Sequence, residues 1–294
     1  MTEKNPDRLL VPDNKVIVVL DTAPVRELAY AEETPPWVET FAQMAREGYS
    51  FSLADGALSE LLAQRHRNAL SATDCLKILE RLERFLSPEL PVMLGKRDLS
   101  GMLQINEDPW DAQECLELSQ YALELLKQCA HPADKQQSPE WVLQEERDDW
   151  VGLFAGWQKI LDEINAEDPS EPIDVNLLTS GMLDQMARHQ DEWSSLVPAM
   201  SVRNHLKNRY MWRQFVRKQK RKNGYDPTSS KKRNDGIDAD LYLYLILPAL
   251  IVTTDGGFFR GLADIESFQK GWFFEAQVLA NEWSRGARPA PTWP

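Results

Sequence analysis

Residues 15–21 read Lys-Val-Ile-Val-Val-Leu-Asp, and residues 249–255 read Ala-Leu-Ile-Val-Thr-Thr-Asp. Continuous runs of Val, Ile and Leu are typical of strands that are buried on both faces of a parallel sheet. Ligands of such sheets bind beyond the carboxyl ends of the strands. Each run here ends in an aspartate, Asp21 or Asp255. If the two strands are neighbours, their carboxylates converge.

The segment that follows the first run alternates helix and strand patterns. Residues 37–48 have helical spacing and end on Gly48, which suits the position just past a helix C-terminus. Residues 49–53 are predicted to form a short strand, and residues 55–65 a helix that Asp55 could cap. This order is the start of a βαβ unit.

The middle of the chain, from about residue 71 to residue 225, has no strand pattern. It contains five helical candidates, at residues 72–86, 111–129, 140–165, 176–196 and 202–222. Helix and strand patterns return at residues 235–255, and a last helix is expected near residues 261–283. We therefore predict an α/β fold with a central parallel sheet, split by a large all-helical insertion. The predicted units are residues 1–67, 68–230 and 231–294.

Composition gives no sign of a membrane protein or a disulfide-bonded one. The longest apolar stretch, residues 241–252, is interrupted by Pro248 and is far shorter than the roughly 20 residues of a membrane span. The N-terminus has no apolar region of a secretory signal, and the three cysteines lack metal-ligand spacing. We expect a cytoplasmic protein with no membrane partner.

The charge of the chain is strongly uneven. Residues 203–233 contain twelve Lys and Arg residues against Asp226 alone, a net charge of +11, whereas the whole chain has −13 and the remainder therefore −24. Such a segment favours a phosphate-binding surface. Pairing of the segment with the protein's own acidic surface stays open as the alternative.

Further acidic residues could join the two strand-end aspartates. Glu60 lies about one turn into a predicted helix, and Asp235, Asp238 and Asp240 open another helix. A carboxylate cluster without Cys or His is typical of a site for Mg²⁺ or Mn²⁺, whose charge would relieve the repulsion. An acid in the first turn of a helix is also a common cap, and for Asp235 alone we favour that role.

The four acidic stretches, in this order, resemble those of the PIN-domain nuclease family. They read Val-Ile-Val-Val-Leu-Asp21, Leu-Ser-Glu60-Leu-Leu, Asn-Asp235-Gly-Ile-Asp238-Ala and Val-Thr-Thr-Asp255. The resemblance covers roughly residues 14–67 and 231–260. It implies a PIN-like three-layer fold, and the long middle segment departs from the compact members of the family.

The resemblance implies hydrolysis of phosphodiester bonds with one or two Mg²⁺ or Mn²⁺ ions. The implied catalytic and metal-binding residues are Asp21, Glu60, Asp238 and Asp255. Among the acids of the third stretch, Asp238 fits the family pattern best, Asp235 is the second candidate ligand and Asp240 the third.

The basic segment supplies a way to hold a polyanion. Its arginines at residues 209, 213, 217 and 221 form a stripe at helical spacing that can follow a phosphate backbone. The predicted nucleic-acid-binding residues are Arg209, Arg213, Arg217, Lys218, Arg221, Lys231, Lys232 and Arg233. Tyr210, Trp212 and Phe215 lie between them, and we expect these rings to pack into the core of the insertion rather than stack on bases.

The function that these expectations favour is that of an Mg²⁺- or Mn²⁺-dependent endonuclease. The resemblance implies a ribonuclease of the toxin–antitoxin or defence type, with RNA as the favoured partner. Two alternatives stay open: a structure-specific or single-strand DNA nuclease, and a non-catalytic nucleic-acid-binding scaffold with a PIN-like fold. An antitoxin or another protein partner and a homo-oligomer also stay open.

Overall fold

The computed structural model describes residues 14–95, 111–131, 139–175, 200–220, 224–232 and 234–293, together with Val11 and Leu99. Five strands form a single sheet: β1 (Val16–Leu20), β2 (Tyr49–Ala54), β3 (Val92–Met93), β4 (Ala249–Val252) and β5 (Phe273–Phe274). Their order across the sheet is β3-β2-β1-β4-β5, and every neighbouring pair is parallel. The prediction of an α/β fold with a central parallel sheet is confirmed.

The two apolar runs are adjacent central strands. Leu20 at the end of β1 is level with Leu53 of β2 on one side and with Val252 of β4 on the other. Residues 17–20 and 249–252 are buried, as expected for strands covered on both faces. The carboxyl ends of β1 and β4 therefore lie side by side.

Helices surround this sheet and supply the remaining elements. They are α1 (Thr22–Tyr30), α2 (Pro36–Arg46), α3 (Asp55–His66), α4 (Ala72–Leu82), α5 (Ala112–Cys129), α6 (Glu140–Glu167), α7 (Met200–Arg203), α8 (His205–Lys218), α9 (Asp235–Asp240), α10 (Gly256–Leu262) and α11 (Ala276–Ser284). Short 3₁₀ turns occupy Ser230–Lys232, Leu241–Ile246 and Phe268–Trp272. As the sequence indicates, Gly48 follows α2 with a φ of +105°, a value that favours glycine.

Two edge strands lie where the sequence predicts helix or no strand. Val92 and Met93 form β3 and pair with Leu53 and Ala54, so the expectation of an all-helical segment over residues 68–230 is wrong at this point. Likewise, Phe273–Phe274 forms β5 inside the stretch expected to be one helix, which is instead divided into α10 and α11. Strands of two residues are too short to show an alternating pattern.

The helices of the middle segment pack into the same hydrophobic core as the sheet. That core includes Val18 of β1, Phe154 of α6 and Phe215 of α8. The helix predicted at residues 202–222 is observed as α7 and α8, and the one predicted at residues 176–196 lies outside the described residues. In the described part of the chain, no helix combines the length and the apolar character needed to cross a membrane.

Candidate functional site

The aspartates at the ends of the central strands are fixed by the helices that follow them. Asp21 is the N-cap of α1, and its Oδ1 accepts a hydrogen bond of 2.6 Å from the Thr22 backbone N–H. Asp255 is the N-cap of α10, and its Oδ1 accepts one of 2.6 Å from the Gly257 N–H. A carboxylate at this position pairs with N–H groups that the helix leaves free. Both side chains are thereby held at the carboxyl edge of the sheet.

Two threonines connect these acids to their surroundings. The fully buried Thr253 donates a hydrogen bond of 2.7 Å from Oγ1 to Asp21 Oδ2, and its Oγ1 accepts one of 3.2 Å from the Asp255 N–H. Thr22 donates a hydrogen bond of 2.5 Å from Oγ1 to Oε2 of Glu60, on α3. Asp21, Glu60 and Asp255 therefore belong to one hydrogen-bonded group that spans β1, β4 and α3.

The structure brings the four predicted catalytic acids together along one cavity. This space of about 460 Å³, called the carboxylate cavity below, is lined by Asp21, Glu60, Asp255 and, from α9, Asp238. Asp238 reaches it because α9 packs against α6. Gly236 permits that close approach, since a Cβ at this position would lie 2.7 Å from the Glu146 carbonyl oxygen.

Burial, with a smaller contribution from the neighbouring carboxylates, raises the pKa values of two of these acids. Burial raises the pKa of Asp21 to about 6; the nearby Glu60 and Asp255 add to the rise, and the hydrogen bonds from Thr253 and Thr22 oppose it. Burial, followed by repulsion from Asp21 and Glu60, also raises the pKa of Asp238 well above its usual range. Asp21 and Asp238 are therefore protonated more readily than an ordinary aspartate.

The second and third candidate ligands point elsewhere. Asp235 accepts a hydrogen bond of 3.0 Å from the Tyr225 hydroxyl, and its carboxylate forms an ion pair with Lys232 at 3.5 Å. The Tyr225 hydroxyl in turn accepts a hydrogen bond of 2.6 Å from Trp150 Nε1. Asp235 does not line the carboxylate cavity. Asp240 lines two other cavities. Of the three aspartates of this stretch, Asp238 is the one at the cavity.

The four acids fit a divalent cation in donor type and in charge, because hard cations such as Mg²⁺ and Mn²⁺ take carboxylate oxygens. Among the residues that the structure describes, however, no three His, Cys, Asp or Glu side chains are grouped closely enough to hold a metal ion. Asp21 accepts hydrogen bonds on both carboxylate oxygens, whereas Glu60 and Asp255 each accept one on a single oxygen. Holding a metal ion therefore requires these side chains to rearrange.

Positive side chains line the same cavity, and sequence reasoning identified only one of them. Lys231 belongs to the predicted nucleic-acid-binding residues, whereas Arg26 on α1, Arg67 at the end of α3 and Arg147 on α6 do not. Arg147 and Arg67 lie in helical segments with many charges, where a charged residue usually faces solvent. The sequence signal that could have indicated Arg67 is its spacing of two helical turns from Glu60.

The arginine stripe is divided between surface and interior. Arg209 is exposed and donates a hydrogen bond to the His205 ring. Arg213 instead donates hydrogen bonds within the protein, to the Asp264 carboxylate and the Gly261 carbonyl oxygen. Arg217 donates to Gln214 at 3.1 Å. For Arg213 the alternative of pairing with the protein's own acids applies.

The remaining residues of the basic segment take several positions. Lys218 lies at the end of α8 beside a separate shallow cavity, and Lys232 pairs with Asp235 as described above. Arg221 and Arg233 lie outside the described residues. Lys231 is thus the member of the predicted set that lines the carboxylate cavity.

The aromatic residues between the arginines are buried. Tyr210, Trp212 and Phe215 are 8%, 4% and 2% exposed. Tyr210 stacks against Tyr242 at 5.0 Å, and Phe215 packs edge-on against Trp157 at 5.4 Å. The expectation that these rings fill the core rather than stack on bases is confirmed.

No family model matches the chain, and neither the search of curated proteins nor the search of solved structures finds a match.

Proposed function

We propose that the protein is a metal-dependent nuclease that hydrolyses phosphodiester bonds, with RNA as its favoured substrate. The observation that carries the proposal is the meeting of Asp21, Glu60, Asp238 and Asp255 along one cavity. Four separate elements deliver these side chains: the ends of β1 and β4, and helices α3 and α9. The sequence resemblance to PIN-domain nucleases supports the same assignment, and the preference for RNA rests on that resemblance.

In this proposal the four acids hold one or two Mg²⁺ or Mn²⁺ ions. Such an ion, when bound, polarises a phosphodiester and lowers the pKa of water. The protein's own part is to place the acids and to admit the phosphate. Thr22 and Thr253 orient the carboxylates of Glu60 and Asp21, and Arg26, Arg67, Arg147 and Lys231 give the cavity positive charge that attracts a polyanion.

A second candidate function is a nucleic-acid-binding scaffold without catalysis. It is favoured by the absence, in the described ranges, of any three acids grouped to hold a metal ion. On this interpretation the acids of the cavity serve as caps and hydrogen-bond acceptors, as Asp21 and Asp255 do in α1 and α10. A DNA nuclease would use the same acids, because the carboxylate cavity has no group assigned to the 2′-hydroxyl.

Cleavage assays separate these functions. End-labelled RNA, single-stranded DNA and duplex DNA would each be incubated with the protein in Mg²⁺, Mn²⁺ or EDTA. The proposal expects RNA cleavage with either metal, none in EDTA, and none by Asp21→Asn with its fold intact. Binding of nucleic acid without cleavage in any metal would support the scaffold, and cleavage confined to DNA would support the DNA nuclease. Equal cleavage in EDTA would reject the metal-dependent mechanism.

A further inference from the structure

Two arginines at the carboxylate cavity share a single acidic partner. Glu140, in the first turn of α6, accepts a hydrogen bond of 3.1 Å on Oε1 from Arg147 Nη1, and its Oε2 lies 3.7 Å from Arg67 Nη1. Both arginines line the cavity. One carboxylate against two guanidinium groups leaves a net positive charge beside the cavity.

Arg147 is held in a position that is unusual for a positive charge. It is only 8% exposed, and a buried charge is costly unless it is well paired. Its Nη2 donates to Asn234 Oδ1 at 3.2 Å, while its Nε has no hydrogen-bond partner. Both Nη groups are engaged by Glu140 and Asn234, so a phosphate at the cavity would interact with Arg147 through its charge and by replacing one of these partners on the planar fork.

In the part of the chain that the structure describes, these two arginines pair with Glu140 rather than with the acids of the same cavity. Within the described residues, no ion pair joins Arg67 or Arg147 to Asp21, Glu60, Asp238 or Asp255. Arg67 follows Glu60 by seven residues along α3, which separates their backbones by about 10 Å along the helix axis. Arg67 is therefore set apart from Glu60 along the cavity, and a ligand that contacts both must extend from one to the other.

We propose that Arg67 and Arg147 form a phosphate clamp that holds a backbone phosphate of a single nucleic-acid strand. That phosphate lies next to the one that is hydrolysed at the four acids. The nature of the ligand rests on the proposed nuclease function, and the clamp deepens that function by adding two phosphate-binding residues from outside the acidic stretches. Helix α6 thereby becomes part of the substrate site. Asn234 connects the clamp to α9, the helix that carries Asp238.

Binding of a labelled single-stranded oligonucleotide, measured as a function of salt without turnover, tests the clamp. The variants are Arg67→Met, Arg147→Met and Arg147→Lys, each in EDTA and in Ca²⁺. The matched control is Arg84→Met, because Arg84 is 44% exposed and paired with Glu39, much as Arg67 is 51% exposed and paired with Glu140. RNA and DNA strands of the same sequence would be compared.

Loss of a phosphate contact should lower the slope of log Kd against log salt by about 0.7 for a single strand, and it should raise Kd about tenfold at low salt. We expect both effects in Arg67→Met and in Arg147→Met, and neither in the control. Arg147→Lys should keep the salt slope but bind more weakly, because it keeps the charge and loses the fork. A structural role of Arg147 would lower the melting temperature without changing the slope.

An unchanged slope in both Arg67→Met and Arg147→Met would overturn the clamp, as would an equal change in Arg84→Met. Failure of the nuclease function is a separate result. If the arginine variants lose binding as expected while the wild-type protein cleaves nothing, the phosphate clamp is supported and the nuclease function is rejected. If the wild-type protein cleaves nucleic acid and the arginine variants keep their salt slopes, the nuclease function is supported and the phosphate clamp is rejected. A wild-type protein that binds no single strand in EDTA or Ca²⁺ would overturn the clamp.

Discussion

Thr253 donates a 2.7 Å hydrogen bond to the carboxylate of Asp21, and so joins the ends of the two central strands. The bond favours the charged form of Asp21, whereas burial favours the neutral form and raises its pKa to about 6. Thr253 is itself fully buried, so the bond is shielded from water. Asp21 is thus an acid whose charge depends on pH close to neutrality.

The first prediction concerns the stability of the metal-free protein. The folded-state pKa of Asp21, about 6, lies above its ordinary value of 3.8, so the folded state binds a proton that the unfolded state releases. Stability should therefore fall as pH rises from about 4 through 6, by up to about 3 kcal/mol from this group. Asp21→Asn should have a flatter profile in this range. Melting temperatures of the wild-type protein and of Asp21→Asn, recorded in EDTA across this pH range, measure the difference. Parallel pH profiles of the two proteins would contradict the prediction.

The second prediction separates two neighbouring aspartates. Asp238→Asn should abolish cleavage, because Asp238 lines the carboxylate cavity. Asp235→Asn should retain cleavage but lose about 1 to 2 kcal/mol of stability, because it weakens the bonds to Tyr225 and Lys232. Cleavage rates and urea denaturation of both variants measure the difference. Loss of cleavage in a well-folded Asp235→Asn would make Asp235 the ligand instead.

The third prediction concerns the contact between α6 and α9. A Cβ added at Gly236 would lie 2.7 Å from both the Glu146 carbonyl oxygen and the Trp150 Cβ, so Gly236→Ala should cost about 1 to 3 kcal/mol. It should also reduce cleavage by displacing Asp238. Gly152→Ala on α6 is the control: it meets nothing within 4 Å and should stabilise the helix by up to about 1 kcal/mol. Equal melting temperatures of the two variants would show that the close approach is unimportant.

The fourth prediction distinguishes the arginines of the stripe by their effect on nucleic-acid binding. Arg213→Gln should lower the melting temperature and leave the salt dependence of nucleic-acid binding unchanged, because Asp264 and Gly261 engage Arg213. If the stripe binds phosphates, Arg209→Gln and Arg217→Gln should each lower the salt slope by about 0.7. Salt titrations of single-strand binding measure these slopes. A change of slope in Arg213→Gln alone would reverse the assignment.

The sequence predicts the centre of the fold better than its edges. The apolar runs of β1 and β4 are long enough to identify buried parallel strands and to place Asp21 and Asp255 at neighbouring ends. In contrast, β3 and β5 have two residues each, and they are strands only because a longer neighbour offers its free edge. Local pattern cannot indicate such pairing.

The candidate site shows the same division. The acids follow strand ends or lie within the first two turns of helices, and local sequence can place them. Arg147 reaches the cavity only through the packing of α6 against α3 and α9, which joins segments far apart in the chain. Arg213 was expected on a phosphate-binding stripe, and its pairing with Asp264 depends likewise on tertiary contact. Distant pairing of charges is the part of the site that residue spacing does not encode.

The pairing of β1 with β4 has a consequence for synthesis of the chain. Thr253 and Asp21 are 232 positions apart, so the ribosome adds more than two hundred residues after Asp21 before its partner strand exists. At typical rates of translation this takes roughly 10 to 50 seconds. During that interval β1 has an unpaired edge, and the carboxylates of β4 and α9 are missing from the cavity. A chain interrupted before residue 249 has no complete site, so any nuclease activity of this protein begins only after β4 and Asp255 have been synthesised.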